Sequence, residues 1–97
     1  MPMRIDLSQA AERDIESILE YSLTTFGAMQ AETYYRSLRK CFELIAENPE
    51  IGLRRSDLTP PLRSHPHQSH VIFYEIHDDC ILIVRILHGR MDPRRHL

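Results

Sequence analysis

The sequence is poor in the residues that build disulfide, zinc or redox sites. Its 97 residues include two cysteines, Cys41 and Cys80, which lie far apart and form no CxxC pair. This spacing matches neither a zinc site nor a redox motif, and two thiols are too few for a disulfide-rich secreted scaffold. We therefore expect reduced, packed cysteines in a cytoplasmic protein.

Long apolar runs and enzyme signature motifs are also missing. No stretch reaches the roughly 18 apolar residues that a membrane helix needs, and the first residues show no signal-peptide pattern. The GxSxG, GxGxxG, HExxH and Walker A patterns are absent, so no local feature marks a nucleophile or a phosphate-binding loop. We predict no cofactor, no metal site and no membrane contact.

Lysine is almost absent, because Lys40 is the single lysine among twelve basic residues. The net charge of −2 argues against a strongly basic nucleic-acid binder. Residues 1–49 carry five Lys/Arg and eight Asp/Glu, whereas residues 50–97 carry seven Arg, six Asp/Glu and all six histidines. Arginine suits bidentate pairing with carboxylate or phosphate, although a GC-rich genome explains the same bias.

What the sequence does contain is an ordered series of amphipathic segments. Residues 4–7 alternate polar and apolar side chains, which predicts a short edge strand. Ser8 then predicts the N-cap of a helix that ends at Gly27. A second helix is expected from Ala28 to Asn48, where the following proline ends it. The single-glycine break predicts an antiparallel helical hairpin.

Two apolar runs, residues 70–77 and 80–88, are separated only by Asp78-Asp79. This pattern predicts a β-hairpin. A two-residue loop would place Phe73 and Val84 on the same face, and a three-residue loop would change that pairing. A further strand is expected to begin near residue 62, after an exposed loop.

These segments predict a single α+β domain over residues 1–97 in the order β–α–α–β–β–β. The sheet is expected to be mainly antiparallel, with the helical hairpin on one face. Both strands of the β-hairpin are apolar on both faces, but helices cover only one face of so small a sheet. We therefore expect an open apolar patch on the other face, where a partner binds.

Arg85 is the one charge in the last apolar run, and a charge in a central strand is costly unless it is paired or solvated. Glu75, Asp78 and Asp92 are candidate structural partners. The functional alternative is a phosphate or a carboxylate of a partner.

The histidines and the basic tail are weaker signals. His65, His67 and His70 cluster in sequence, but zinc needs three or four converging ligands, and surface histidines explain the same pattern. The tail after His88 is a phosphate-binding arm, a set of acid/base groups for RNA cleavage, or a solvated terminus.

A set of short motifs in a fixed order resembles the ParE branch of the RelE/ParE toxin superfamily. The opening motifs are Leu7-Ser8-x-x-Ala11-x-x-Asp14-Ile15-x-x-Ile18, Tyr21-Ser22, Phe26-Gly27 and Gln30-Ala31-x-x-Tyr34. The later motifs are Asn48-Pro49-x-x-Gly52, Leu62-Arg63, His70-Val71-Ile72-Phe73-Tyr74 and Val84-Arg85-Ile86-Leu87-His88-Gly89-Arg90-Met91-Asp92. Together they span nearly the whole chain.

The resemblance implies a RelE/ParE-like fold and the toxic half of a type II toxin–antitoxin module. ParE proteins are understood to poison DNA gyrase by protein–protein contact, so the chain is not expected to be an enzyme itself. Their ParD-like antitoxins carry a ribbon–helix–helix DNA-binding part and cover the toxin with a C-terminal segment. The resemblance thus implies a cytoplasmic hetero-oligomer that reaches operator DNA only through its antitoxin.

Contact residues follow from the same resemblance. The expected gyrase contacts are Arg85, Arg90, Arg94 and Arg95. The expected antitoxin contacts are Tyr34, Leu38, Phe42, Phe73 and Arg85, with arginines of the toxin facing acidic antitoxin segments.

The sequence leaves two alternatives to gyrase poisoning. RelE-like members are ribosome-dependent mRNA endonucleases, and Arg63, Arg85 and His88 are the candidate catalytic residues for that activity. The sheet region has no lysine, and no tyrosine follows Tyr74, which weakens this interpretation. The other alternative is a degenerate module that only binds its antitoxin.

Overall fold

The computed structural model describes residues 2–97, so the first residue of the predicted 1–97 domain lies outside the described range. The helices are α1 (Gln9–Phe26) and α2 (Ala28–Glu47), and short 3₁₀ turns span Pro49–Ile51 and Pro93–Arg95. The strands are β1 (Arg4–Leu7), β2 (Leu53–Arg55), β3 (Leu62–His67), β4 (His70–Ile76) and β5 (Cys80–His88). The α+β prediction is confirmed, but β2 adds a strand that the predicted order lacked.

The predicted helix boundaries are confirmed by local chemistry. Ser8 Oγ accepts a hydrogen bond from the Ala11 N–H at 3.0 Å and donates one to the Val84 carbonyl at 2.7 Å. The first contact caps α1 and the second ties the cap to β5. Gly27 separates the helices with a φ of 97°, a conformation that glycine adopts without steric cost.

The sheet has the strand order β1-β5-β4-β3-β2, and its pairs are antiparallel except for the parallel pair of β1 and β5. The His77 N–H donates to the Cys80 carbonyl at 2.8 Å, so the hairpin has a two-residue loop, which is one of the two alternatives that the sequence left open. A bulge between Phe73 and the next residue shifts the register. Val84 nevertheless packs on the same side as Phe73.

The main core lies between the helical hairpin and one face of the sheet. Its fully buried members are Ala11, Leu38, Ile45, Ile72, Tyr74, Ile81 and Ile83. The cysteines at 41 and 80 are both free and buried, as predicted for packing residues. None of the helices in residues 2–97 is long and apolar enough to cross a membrane.

The opposite face of the sheet holds a second apolar cluster, so the prediction of an open apolar patch on this face is wrong. Leu58 is 4% exposed and packs with Leu62, Phe73 and Leu87. The Arg55 guanidinium lies 5.7 Å from the centroid of the Phe73 ring. The loop between β2 and β3 covers this face, because it places Leu58 against Phe73 and Leu87.

Candidate functional site: a groove, a tail and a histidine cluster

An open groove of about 450 Å³ lies between β1 and the two helices. Its floor consists of the less exposed lining residues Ile5, Leu7, Ile15 and Phe42, and Tyr35 also lines it. Phe42 is only 5% exposed, so the groove reaches down to the main core. This shape suits an amphipathic segment from a partner better than a small polar ligand.

The predicted antitoxin residues differ in whether a partner could reach them. Phe42 lines the groove, but Leu38 and Phe73 are 0% and 2% exposed. Their prediction as surface residues is wrong, because Leu38 lies within the main core and Phe73 lies under the Leu58 loop. Tyr34 is half-buried and lines a smaller cavity of about 240 Å³ on another side of the hairpin.

Arg85 pairs with Asp14, so the predicted pairing with Glu75, Asp78 or Asp92 is wrong. Its Nε and Nη2 donate to the two carboxylate oxygens of Asp14 at 2.8 and 2.9 Å. Asp14 Oδ2 also accepts the Ile86 N–H at 2.9 Å, beyond the end of β1 where that edge of β5 lacks a neighbouring strand. Hydrogen bonding to Asp14 raises the pKa of Arg85 above its ordinary value.

The same arginine holds the C-terminal tail, because Arg85 Nη1 donates to the His96 carbonyl. Asp92 begins the last 3₁₀ turn and accepts the Arg94 N–H at 3.0 Å. Arg90, Arg94 and Arg95 are exposed around this turn. Three of the four predicted gyrase-contact arginines therefore face solvent at one end of the molecule, whereas Arg85 is turned inward.

The candidate ribonuclease residues do not converge. Arg63 Nη1 donates to the Gly52 carbonyl at 2.8 Å and to the Glu50 carbonyl at 3.2 Å, so it anchors the turn after α2. Arg85 is committed to Asp14, and His88 is exposed at the end of β5. Strand β4 separates Arg63 from the other two.

The histidines form a cluster with α2. The Tyr34 hydroxyl and His70 Nδ1 share a hydrogen bond of 2.8 Å, and Ser37 Oγ lies 3.1 Å from His67 Nε2. The His70 and His88 rings lie 5.6 Å apart. Within residues 2–97, no group of three or more side chains is arranged to hold a metal ion. The cluster thus joins α2 to the β3–β4 turn.

Burial lowers the pKa of His67 and His70 below the ordinary value of 6.5, and neighbouring histidines lower it further. Burial also raises the pKa of Tyr34 to about 12. The folded state therefore holds fewer protons on these imidazoles than the unfolded state does. The stability that this difference gives is complete above pH 6.5 and is lost as the pH falls below it.

We expect the urea midpoint of unfolding to fall between about pH 7 and pH 5, before carboxylates of ordinary pKa titrate. A double variant with His67→Asn and His70→Asn should lose most of this slope, whereas His96→Asn, an exposed position outside the cluster, should keep it. Equal slopes in the double variant and in wild type would show that the cluster does not cause the pH dependence.

Comparison with known proteins decides the family. The model of the family described as ParE toxin of type II toxin–antitoxin system, parDE, matches residues 5–93. This chain belongs to the ParE toxin family. Toxin ParE1 of Mycobacterium tuberculosis is 37% identical over 98 residues, covering 100% of both chains. Toxin ParE1 of Caulobacter vibrioides is 37% identical over 91 residues, covering 94% of each.

Solved structures agree on the ParE fold. A chain of the chromosomal ParDE system from P. aeruginosa superposes with a TM-score of 0.76 at 16% identity, covering 89% of this chain and 95% of that one. A chain of the RelBE2 toxin–antitoxin complex from Mycobacterium tuberculosis gives a TM-score of 0.56 at 19% identity, covering 91% and 99%. The predicted ParE resemblance is confirmed. The family match ends at residue 93, so Arg94 and Arg95 lie beyond it.

Sequence reasoning missed Asp14 as the partner of Arg85, although Asp14 stood in the quoted motif. Its spacing from Ala11 places it on the sheet-facing half of α1, where a carboxylate needs a partner. The position of Asp14 on this half of α1 is the sequence signal that could have identified it as a partner.

Proposed function

We propose that this ParE toxin poisons DNA gyrase through protein–protein contact in the cytoplasm and that a ParD-like antitoxin neutralises it. The observation that carries the proposal is the full-length match to ParE1 toxins at 37% identity. The divergence of Arg63 from Arg85 and His88 supports this function over RNA cleavage, because general acid–base chemistry needs groups within reach of one reacting bond.

The basic tail is the proposed gyrase contact. Arg90, Arg94 and Arg95 are exposed, and the turn at Asp92 together with the bond from Arg85 to the His96 carbonyl holds the tail in one orientation. A prearranged segment loses less conformational entropy on binding than a free one. In this proposal Arg85 positions the tail, and the three exposed arginines meet the target.

The groove between β1, α1 and α2 is the proposed antitoxin site. An antitoxin segment that orders on binding must bury enough apolar area to offset the entropy that it loses. The groove offers apolar area mainly through Ile5, Leu7 and Tyr35, which keep part of their surface exposed. The resulting complex is a hetero-oligomer, and the ribbon–helix–helix part of the antitoxin is its contact with operator DNA.

A cleavage assay with purified gyrase, supercoiled plasmid and the full chain tests the proposed function. We expect linear and nicked plasmid to accumulate with the toxin and to disappear when the co-encoded antitoxin is added first. Unchanged supercoiling and no broken plasmid at large toxin excess would contradict gyrase poisoning. Codon-specific mRNA cleavage by the same sample in a translation extract would then establish the ribonuclease alternative.

A further inference from the structure

The charges around the apolar groove are mostly negative. Nine residues line the groove, and three of them are the carboxylates of Glu12, Glu16 and Glu43. Arg39 is the one basic residue in the lining. All four side chains belong to exposed residues at the rim, above the floor that reaches Phe42. The rim thus carries an excess of negative charge close to a surface that favours apolar contact.

Those carboxylates are not neutralised within the described chain. Glu12, Glu16 and Glu43 take part in none of the ion pairs found in residues 2–97. Arg39 is turned to Tyr35 instead. Its Nη1 lies 3.2 Å from the Tyr35 hydroxyl, and its guanidinium lies 5.9 Å from the ring centroid. The rim therefore presents three carboxylates that have no basic partner of their own.

The groove continues along the helical hairpin. A second hollow of about 350 Å³ shares Tyr35 and adds Leu19, Leu23 and Ala31 as apolar lining. Glu20 stands on its edge, four residues after Glu16 and eight after Glu12. Residues at this spacing lie on one side of a helix. From residue 12 to residue 23 the trough is about 17 Å long, or three helical turns.

We infer that the segment that fills this groove is a basic amphipathic helix, with an apolar stripe on the groove floor and Lys or Arg along its flanks. The inference rests on the proposed function, because that segment is taken to belong to the antitoxin. It reverses the charge expected from the arginine-rich composition, since the groove lining holds three glutamates and a single arginine, Arg39. An acidic helix in this groove would place like charges side by side, which opposes binding.

Two synthetic 18-residue peptides test the inference on the full chain. Both carry the same leucine stripe, one with Lys and Arg flanks and the other with Glu flanks, and fluorescence anisotropy measures their affinity. We expect the basic peptide to bind about tenfold tighter or better at low salt, and the difference to shrink as salt screens the rim. Equal affinities, a preference for the acidic peptide, or no binding of either peptide would overturn the inference.

A matched pair of triple variants separates the groove from the general charge of the protein. The groove variant carries Glu12→Gln, Glu16→Gln and Glu43→Gln. The control variant removes three other exposed carboxylates through Glu47→Gln, Glu50→Gln and Asp78→Asn. We expect the groove variant to lose the preference for the basic peptide and the control to keep it. The same loss in both variants would also overturn the inference.

Binding of the co-encoded antitoxin distinguishes this inference from the proposed function. An antitoxin that reverses gyrase poisoning but covers the groove with an acidic or uncharged segment overturns the inference alone. A gyrase that the toxin leaves unaffected overturns the proposed function, whichever peptide binds the groove.

Discussion

Replacing Asp14 by alanine should lower the free energy of unfolding by about 2–3 kcal/mol. The change leaves the Arg85 guanidinium without its bidentate partner and the Ile86 N–H without an acceptor. Removing one partner of a fully buried pair costs about 3–5 kcal/mol. The expected loss is smaller here because the side chains of Arg85 and Asp14 keep 21% and 14% of their exposure. Urea unfolding at pH 7 measures it.

Two further variants show which contact matters at this position. Asp14→Asn keeps an oxygen acceptor for the Ile86 N–H and should lose less stability than Asp14→Ala. Glu32→Ala removes the carboxylate from an exposed pair with Arg36 and should leave the urea midpoint close to that of wild type. If Asp14→Ala also unfolded at the wild-type midpoint, the ion pair would have no part in holding α1 to β5.

The substitution Gly52→Ala should destabilise the chain by about 3 kcal/mol. A Cβ at this position would lie 2.5 Å from the Tyr74 hydroxyl oxygen and 2.8 Å from its Cε1 atom. Tyr74 is fully buried, so its ring has little room to move away. The Tyr74 hydroxyl accepts the Gly52 N–H at 2.9 Å and donates to the Pro49 carbonyl at 2.6 Å. The clash would therefore also disrupt the two hydrogen bonds of Tyr74 that fix the turn after α2.

Gly89→Ala is the matched control, because its Cβ would meet only the Ser69 carbonyl oxygen, at an ordinary distance of 3.5 Å. Tyr74→Phe removes both hydrogen bonds without adding a clash, and we expect it to cost about 1–3 kcal/mol. Thermal unfolding of the three variants should rank Gly52→Ala as the least stable and Gly89→Ala near wild type. Equal stability of the two alanine variants would show that the close approach of Gly52 to Tyr74 is not needed.

Local signals were enough to predict the helices. Ser8, Gly27 and Pro49 act on their own neighbours in the chain, so the cap, the break and the stop could be read directly from the sequence. The break at Asp78-Asp79 likewise predicted the hairpin, although its loop length stayed open. Each of these features depends on contacts between residues close in sequence.

Contacts between distant residues could not be predicted in the same way. Asp14 and Arg85 lie 71 residues apart, and three nearer carboxylates were equally plausible partners. Leu58 lies in a segment rich in proline and polar residues, and nothing local shows that it packs on the sheet. Phe73 is buried partly by this contact with Leu58, which is why Phe73 was wrongly assigned to the surface.

The groove was also beyond the reach of the sequence pattern. Periodicity places Ile15 and Phe42 on inward faces, but it does not show that the edge strand leaves a hollow between them. The sequence did not indicate the negative rim of this hollow. Arginine dominates the basic residues, which led to the expectation of acidic partner segments. Only the packing of β1 against the two helices shows which charges surround the apolar floor.

A gyrase cleavage assay with tail variants shows whether the toxin poisons gyrase through its basic tail. Wild-type toxin, an Arg94→Ala/Arg95→Ala variant and an Arg13→Ala/Arg54→Ala control, which removes two exposed arginines elsewhere, are compared at equal concentration on supercoiled plasmid. We expect linear plasmid with wild type and with the control, and a loss of about tenfold or more with the tail variant. Absence of linear plasmid with wild type, or full activity of the tail variant, would contradict gyrase poisoning through the tail.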